Sequence, residues 1–203
     1  MFFLFACSRS EPKISYGTVR LVYYQNEEKP LEQFSFFVLP DDDDGIEDLA
    51  ELNLYHDREG LFWSLSSEDW ITVELEEQIW VGSRSIVMMD GETLPRGQYR
   101  AELVDKGGER SERLFTFDAP ADARYPFPFL HIENGEYWIE SAYPEHFFIC
   151  YDNEGSVVRT IALERIDGAL AELALPNTVR GLALWAEDSE YSTSALTDVV
   201  SIR

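Results

Sequence analysis

The sequence predicts an all-β protein built as two tandem Greek-key β-sandwich domains with little helix. Three observations predict it. Short apolar runs alternate with polar residues at a period of two, as a strand with one buried face does. Turn residues interrupt those runs at intervals of about 8–12 residues, the spacing of a sandwich. A Pro-rich, aperiodic stretch, "DAPADARYPFPF", divides the chain and reads as a linker.

The strands of the first half follow in order. "GTVRLVYY" places Val19, Leu21 and Tyr23 on one face. "QFSFFVL" alternates Phe34, Phe36 and Val38, and "ELNLYHD" alternates Leu52 and Leu54. "LFWSL" follows the turn "REG", and "ITVELE" alternates Ile71, Val73 and Leu75. "RSIVMMD" is a short apolar run. "GQYRAELVDKGGERSERLFTFD" holds two alternating runs about Lys106-Gly107-Gly108, a hairpin signal. Tyr99, Ala101 and Leu103 face one way there, and Leu114, Phe115 and Phe117 fill the return strand. The helical suspect is "IEDLAELNLY", whose Ile46, Leu49 and Leu52 suit a helical stripe and allow a turn of helix before Leu52.

The second half supplies seven strand candidates: "FLHIE", "EYWIES", "HFFICYD", "SVVRTI", "ALAELAL", "RGLALWAED" and "ALTDVVSI". Turn signals separate them at Asn134-Gly135, Asn153-Glu154-Gly155, Asp167-Gly168 and Pro176-Asn177. The expected division is therefore a leader and tether over 1–16, a first sandwich over 17–118, a linker over 119–128 and a second sandwich over 129–203. The second half, with "LPNTVRGLALWAED" read as a late strand entered from a tight corner, resembles a fibronectin type III or immunoglobulin-like domain. "LPRGQYRAELVDKGGERSERLFTF" resembles the last two strands of another. The resemblance implies the sandwich architecture and no particular activity.

The composition is globular: 45% of the 203 residues are apolar and 14% aromatic. Either domain count lets the chain bury a core. No apolar run approaches the ~20 residues that span a bilayer. The net charge is −23. From Asp41 to Glu77, 14 acidic residues face the single Arg58, a local balance of −13. Phosphate backbones are repelled by such a surface, so a nucleic-acid partner is not expected. The charge itself reads as solubility, with a cation or a basic partner as the alternative.

The chain opens "MFFLFACSRSEPKIS". Five apolar residues, an alanine and a cysteine precede an abrupt polar turn. A secretory signal has a basic start, an apolar stretch of about 7–15 residues and small residues at its cleavage site. Here the apolar stretch is short and the basic start is missing, so Met1 reads as an internal start. Leu4, Phe5, Ala6 and Cys7 resemble the cleavage box of bacterial lipoproteins, with Phe5 in the looser form that spirochaete lipoproteins tolerate. That resemblance implies a diacylated Cys7 at a new N-terminus, a lipid anchor in the bacterial cell envelope, inner or outer membrane undetermined, and "SRSEPKIS" as a tether. An unprocessed cytosolic N-terminus is the alternative. The other cysteine, Cys150, sits between aromatic residues in "HFFICYD" and reads as a buried small hydrophobe.

The candidate sites are few. "PDDDDGIEDLAE" holds Gly45 and Glu51 at EF-hand positions, but Pro40 stands where the first acidic ligand belongs. A looser Ca2+ site of Asp42, Asp44 and Asp48 is the functional reading, and a solvated acidic loop the plain one. Among the tryptophans, Trp70 and Trp80 lie beside polar residues and are the candidates for a ligand platform. His56, His131 and His146 lack metal spacing, and no nucleophile elbow, phosphate loop or dinucleotide motif is present. The expectation is a non-enzymatic envelope lipoprotein in a structural or protein-interaction role, needing no cofactor, its partner an envelope protein. The alternative is a carbohydrate-binding or Ca2+-dependent adhesive module.

Overall fold

The computed structural model describes residues 10–25, 30–75, 77–120 and 123–202. Cys7 and the rest of the opening stretch lie outside them. The described residues are all-β, with 3₁₀ turns only at Ile46–Asp48 and Leu170–Leu173. In chain order the first eight strands are β1 (Lys13–Gln25), β2 (Pro30–Asp41), β3 (Leu49–His56), β4 (Leu61–Ser66), β5 (Ile71–Leu75), β6 (Gln78–Val87), β7 (Gly97–Asp105) and β8 (Arg110–Phe117). There follow β9 (Phe129–Glu133), β10 (Glu136–Glu140), β11 (Glu145–Tyr151), β12 (Val157–Ala162), β13 (Asp167–Ala169), β14 (Gly181–Asp188), β15 (Thr193–Leu196) and β16 (Val200–Ser201).

The chain packs into two compact units. One holds the described residues up to Val19 together with Phe34–Ile86 and Pro95–Asp118; the other holds Arg20–Gln33, Val87–Leu94 and Ala119–Arg203. The long strands β1 and β2 are thus each divided between the units.

In the first unit the strands run β1–β2–β6–β5 in one sheet and β4–β3–β7–β8 in the other. The second of these is antiparallel throughout. Period-two alternation decides which side chains go inward. Phe34, Phe36 and Val38 of β2 are buried, as are Tyr99, Ala101 and Leu103 of β7. The sheets meet through rings: Phe34 stands edge-on to Tyr99 at 5.0 Å and to Phe117 at 4.4 Å, and Phe36 to Phe115 at 5.4 Å. Edge-to-face pairs add about 0.5–1.5 kcal/mol each beyond burial. The buried Tyr99 hydroxyl donates to the Pro95 carbonyl at 2.7 Å, so its polar end is satisfied.

In the second unit the strands run β12–β11–β14–β15, with β16 also on β14, and the facing sheet runs β13–β10–β9. Tyr137 of β10 meets Phe148 of β11 edge-on at 5.0 Å across the core. The later half of β1 joins the open edge of β15 in parallel, Leu21 opposite Thr193 and Tyr24 opposite Leu196. The Ser194 hydroxyl donates to the Leu21 carbonyl at 3.2 Å, which pins the register.

The turn of helix before Leu52 is a single 3₁₀ turn, Ile46–Asp48, which gives way at Leu49 to β3; that strand buries Leu52, Leu54 and His56 at every second position. One expectation is corrected: "ALAELAL" is not a strand. Asp167–Ala169 pairs with β10 and the chain then turns through Leu170–Leu173, closing at Ala174 with φ 47°.

Candidate functional site

The acidic loop joins β2 to β3. Gly45, with φ 89°, makes the reversal that side-chained residues resist. The carboxylates serve the loop. Asp42 Oδ1 accepts the Asp44 backbone N–H at 2.9 Å and the Ser10 hydroxyl at 3.2 Å. Asp44 Oδ2 accepts the Ser10 N–H at 3.1 Å. The Asp48 carbonyl accepts the Lys106 N–H at 2.7 Å, tying the loop to the β7–β8 turn. Asp42, Asp44 and Asp48 do not converge: among the described residues no three His, Cys, Asp or Glu side chains stand where they could hold one metal ion. Aspartates that cap backbone N–H groups are turn residues first.

Trp70 and Trp80 occupy separate hollows of the first unit. Trp70 follows β4, in a turn where its N–H reaches the Ser66 carbonyl at 3.1 Å. It lines a hollow of ≈ 260 Å³ with Leu49 and Thr72. A neighbouring hollow of ≈ 410 Å³, lined by Asp41, Asp42 and Leu39, shares Ile46 and Ile79 with it. Trp80 stands on β6 opposite Val73 of β5. It lines a third hollow of ≈ 200 Å³ with Thr18, Phe37, Val73, Leu75 and Arg84. Phe34, Phe36 and Val38 point into the core, so Phe37 belongs to the outer face of the sheet, and this hollow opens there. The Trp80 indole N–H is buried and has no hydrogen-bond partner among the described residues.

The outer face of β3–β7–β8 carries a polar network that sequence reasoning missed. Glu102 is only 5% exposed. Its Oε1 accepts from Asn53 Nδ2 and from the Tyr55 hydroxyl, each at 3.2 Å, and its Oε2 from Arg110 at 3.3 Å. Arg100 forks onto Asp57 at 3.0 and 3.1 Å, reaches Glu112 at 2.6 Å and lies 4.1 Å above the Tyr55 ring. Hydrogen bonding to Arg100 holds the Asp57 carboxyl below its ordinary range. Burial, with Glu102 adding, pushes the Tyr55 hydroxyl up. The signal was present as polar residues at alternate positions 53 and 55, 100 and 102, 110 and 112. Only the strand register brings them together.

The stretch read as a linker is docked at Tyr125 within the second unit. Its hydroxyl donates to Asp188 Oδ2 at 2.7 Å, and its ring centroid lies 4.7 Å from that of Tyr143. Arg124 packs on Tyr191 at 3.6 Å. Cys150 is buried and free, and burial pushes its thiol up, as an inert core cysteine requires. The histidines lie on different elements: His56 buried against Tyr99, His131 stacked on Trp138 at 4.7 Å, and His146 half-buried on β11. No described helix is long and apolar enough to cross a membrane.

No family model matches the chain, and no curated protein does. Among solved structures it is similar to "Tp47, the 47-Kilodalton Lipoprotein of Treponema pallidum", at 11% sequence identity and a TM-score of 0.47. The match covers 93% of this chain and 50% of that one, so the chain spans about half that protein's length.

Proposed function

We propose that this is a non-catalytic lipoprotein of the bacterial cell envelope, anchored by lipid on Cys7 and working through protein contact or as a structural element. The observation that carries the reading is Leu4-Phe5-Ala6-Cys7, followed by a polar tether that leads into β1. The reading places two sandwiches beyond the anchor, chiefly residues 17–118 and 129–203, with the segment 119–128 between them. Both are assigned to the immunoglobulin and fibronectin type III class. What supports the assignment is strand order. The sequence β1–β2–β6–β5 against β4–β3–β7–β8 corresponds to A-B-E-D against C′-C-F-G. The sequence β9–β10–β13 against β12–β11–β14–β15 corresponds to A-B-E against C′-C-F-G. Such sandwiches carry binding surfaces on sheet faces and end loops, and the Glu102–Arg100 network is one such face. The test is partition of the full-length protein between water and detergent. Wild type enters detergent and Cys7→Ala stays in water; equal partition of the two counts against the anchor.

A second reading, a ligand-binding module, is favoured by one observation: Trp80 lines an outward-facing apolar hollow beside Leu75, which is 58% exposed.

A further inference from the structure

β5 is the edge strand of the sheet β1–β2–β6–β5 in the first unit. Among the described residues it pairs with β6 alone, in an unbroken antiparallel register from Ile71 opposite Gly82 to Leu75 opposite Gln78. Its other side presents backbone N–H and C=O groups that no described strand receives. Four of its five residues are exposed. Folded proteins blunt such edges with lysine, proline or a bulge, and "ITVEL" has none of the three.

The two faces of β5 differ in chemistry. Ile71, Val73 and Leu75 alternate and so share the outer face, where Val73 stands opposite Trp80. Ile71 is 39% exposed and Leu75 58%, so the apolar row meets water along the edge. Thr72 and Glu74 share the other face. Glu68, Asp69 and Glu77 flank the strand, and no Lys, Arg or His lies between Arg58 and Arg84 in the sequence. Arg84 stands on β6, one strand in from the edge.

An added strand of one composition fits this edge. Its main chain pairs with the open backbone groups of β5. Apolar side chains at every second position cover Ile71, Val73 and Leu75, and basic side chains between them meet Glu74 and its acidic flanks. A second copy of the chain fits worse. Its own edge brings the same carboxylates, and like charges across a strand pair repel.

We propose that β5 is the docking edge for an extended segment of a partner protein in which apolar and basic residues alternate. The proposal rests on the protein-contact reading of the function. It names the surface and the partner chemistry that the reading leaves open.

The experiment measures binding of dye-labelled peptides to the full-length protein by fluorescence anisotropy, with amide hydrogen exchange at 71–75 followed by NMR. The probe is a short peptide of alternating lysine and valine. Its controls are the same peptide N-methylated at alternate residues in either frame, the same composition with lysines and valines in separate blocks, and a peptide of alternating glutamate and valine. Saturable binding of the probe with slowed exchange at 71–75 is expected. N-methylation is expected to abolish binding in the frame that removes the donors facing β5. The block peptide and the variant Glu74→Lys are each expected to weaken binding about fivefold or more. Glu74 is exposed, and the melting temperature of the variant checks that the fold is kept.

Binding that leaves exchange at 71–75 unchanged, or that the block peptide matches, is general attraction to an acidic surface and overturns the proposal. Equal binding of the glutamate–valine peptide overturns the basic partner. A dimer of the protein alone that slows exchange at 71–75 makes a second copy the occupant and overturns it too. No binding by any peptide overturns the docking edge. The protein-contact reading is judged separately, by photocrosslinkers placed in intact cells at Leu75 and at Phe62, which is 55% exposed on the facing sheet. A crosslinked protein at Phe62 alone keeps that reading without the docking edge, and none at either position removes both.

Discussion

Tyr125 donates its hydroxyl proton to Asp188 Oδ2 at 2.7 Å, closing the Pro-rich segment onto the end of β14. The same carboxylate caps the following turn, with Oδ1 accepting the Glu190 N–H at 3.0 Å. The tyrosine bond, then these backbone bonds, hold Asp188 below the ordinary aspartate range. A lowered folded value means that the unfolded chain binds the proton first as pH falls. Stability from this group is therefore complete above about pH 4 and is lost as pH falls further, through the folded value. The wild-type melting temperature is expected to drop more steeply from pH 5 to pH 3 than that of Tyr125→Phe. Parallel curves would show that the bond contributes nothing.

His146 gives a second pH signature in a different window. Burial holds its imidazole below the ordinary histidine value, and its Nε2 has no partner among the described residues. The folded state resists the proton that the unfolded chain accepts near pH 6.5, so stability declines as pH falls from about 6.5 toward the folded value. His146→Gln is expected to flatten the melting curve between pH 7 and pH 5. A variant that keeps the full wild-type slope would assign it elsewhere.

Gly82 tolerates no side chain. A Cβ there would overlap the carbonyl oxygen of Phe36 and approach the Phe37 Cα at 2.7 Å, and both are backbone atoms that cannot swing aside. Gly82→Ala should cost about 1–3 kcal/mol in urea unfolding. Wild-type stability in this variant would mean that β6 relaxes freely.

The acidic loop is expected to ignore calcium. Asp42 Oδ1 and Asp44 Oδ2 accept from Ser10 and from a loop N–H, and no three acidic side chains among the described residues stand together to hold an ion. Millimolar CaCl2 and EDTA should each leave the melting temperature where it was. A saturable rise with Ca2+ would reveal a site. Asp42→Ala, by contrast, should destabilise by about 1 kcal/mol through loss of the capping bonds.

Much of the fold was legible because burial on one face writes a period of two. Tyr99, Ala101 and Leu103 read as one face and are buried, and Lys106-Gly107-Gly108 turns the chain between β7 and β8. β6 was only half legible. Gly82 to Ser85 breaks the alternation, so the strand was seen from Arg84 onward and its Trp80 end was not. The division of β1 and β2 between two units could not be read either. Leu21 to Tyr24 reads as a plain continuation of β1, and nothing local says that β15 receives it. Trp80 was picked out by the polar residues of its stretch, although Ile79 and Val81 flank it directly. Its companions Phe37 and Leu75 come from strands remote in sequence, and only the order β2–β6–β5 gathers them.

The most direct test of the central claim is the mass of the N-terminal peptide of the native protein, taken from membrane and soluble fractions. The account predicts a peptide beginning at Cys7 that carries two or three acyl chains, recovered from the membrane fraction. An unmodified Cys7 within a peptide that still carries Met1, recovered from the soluble fraction, would contradict it.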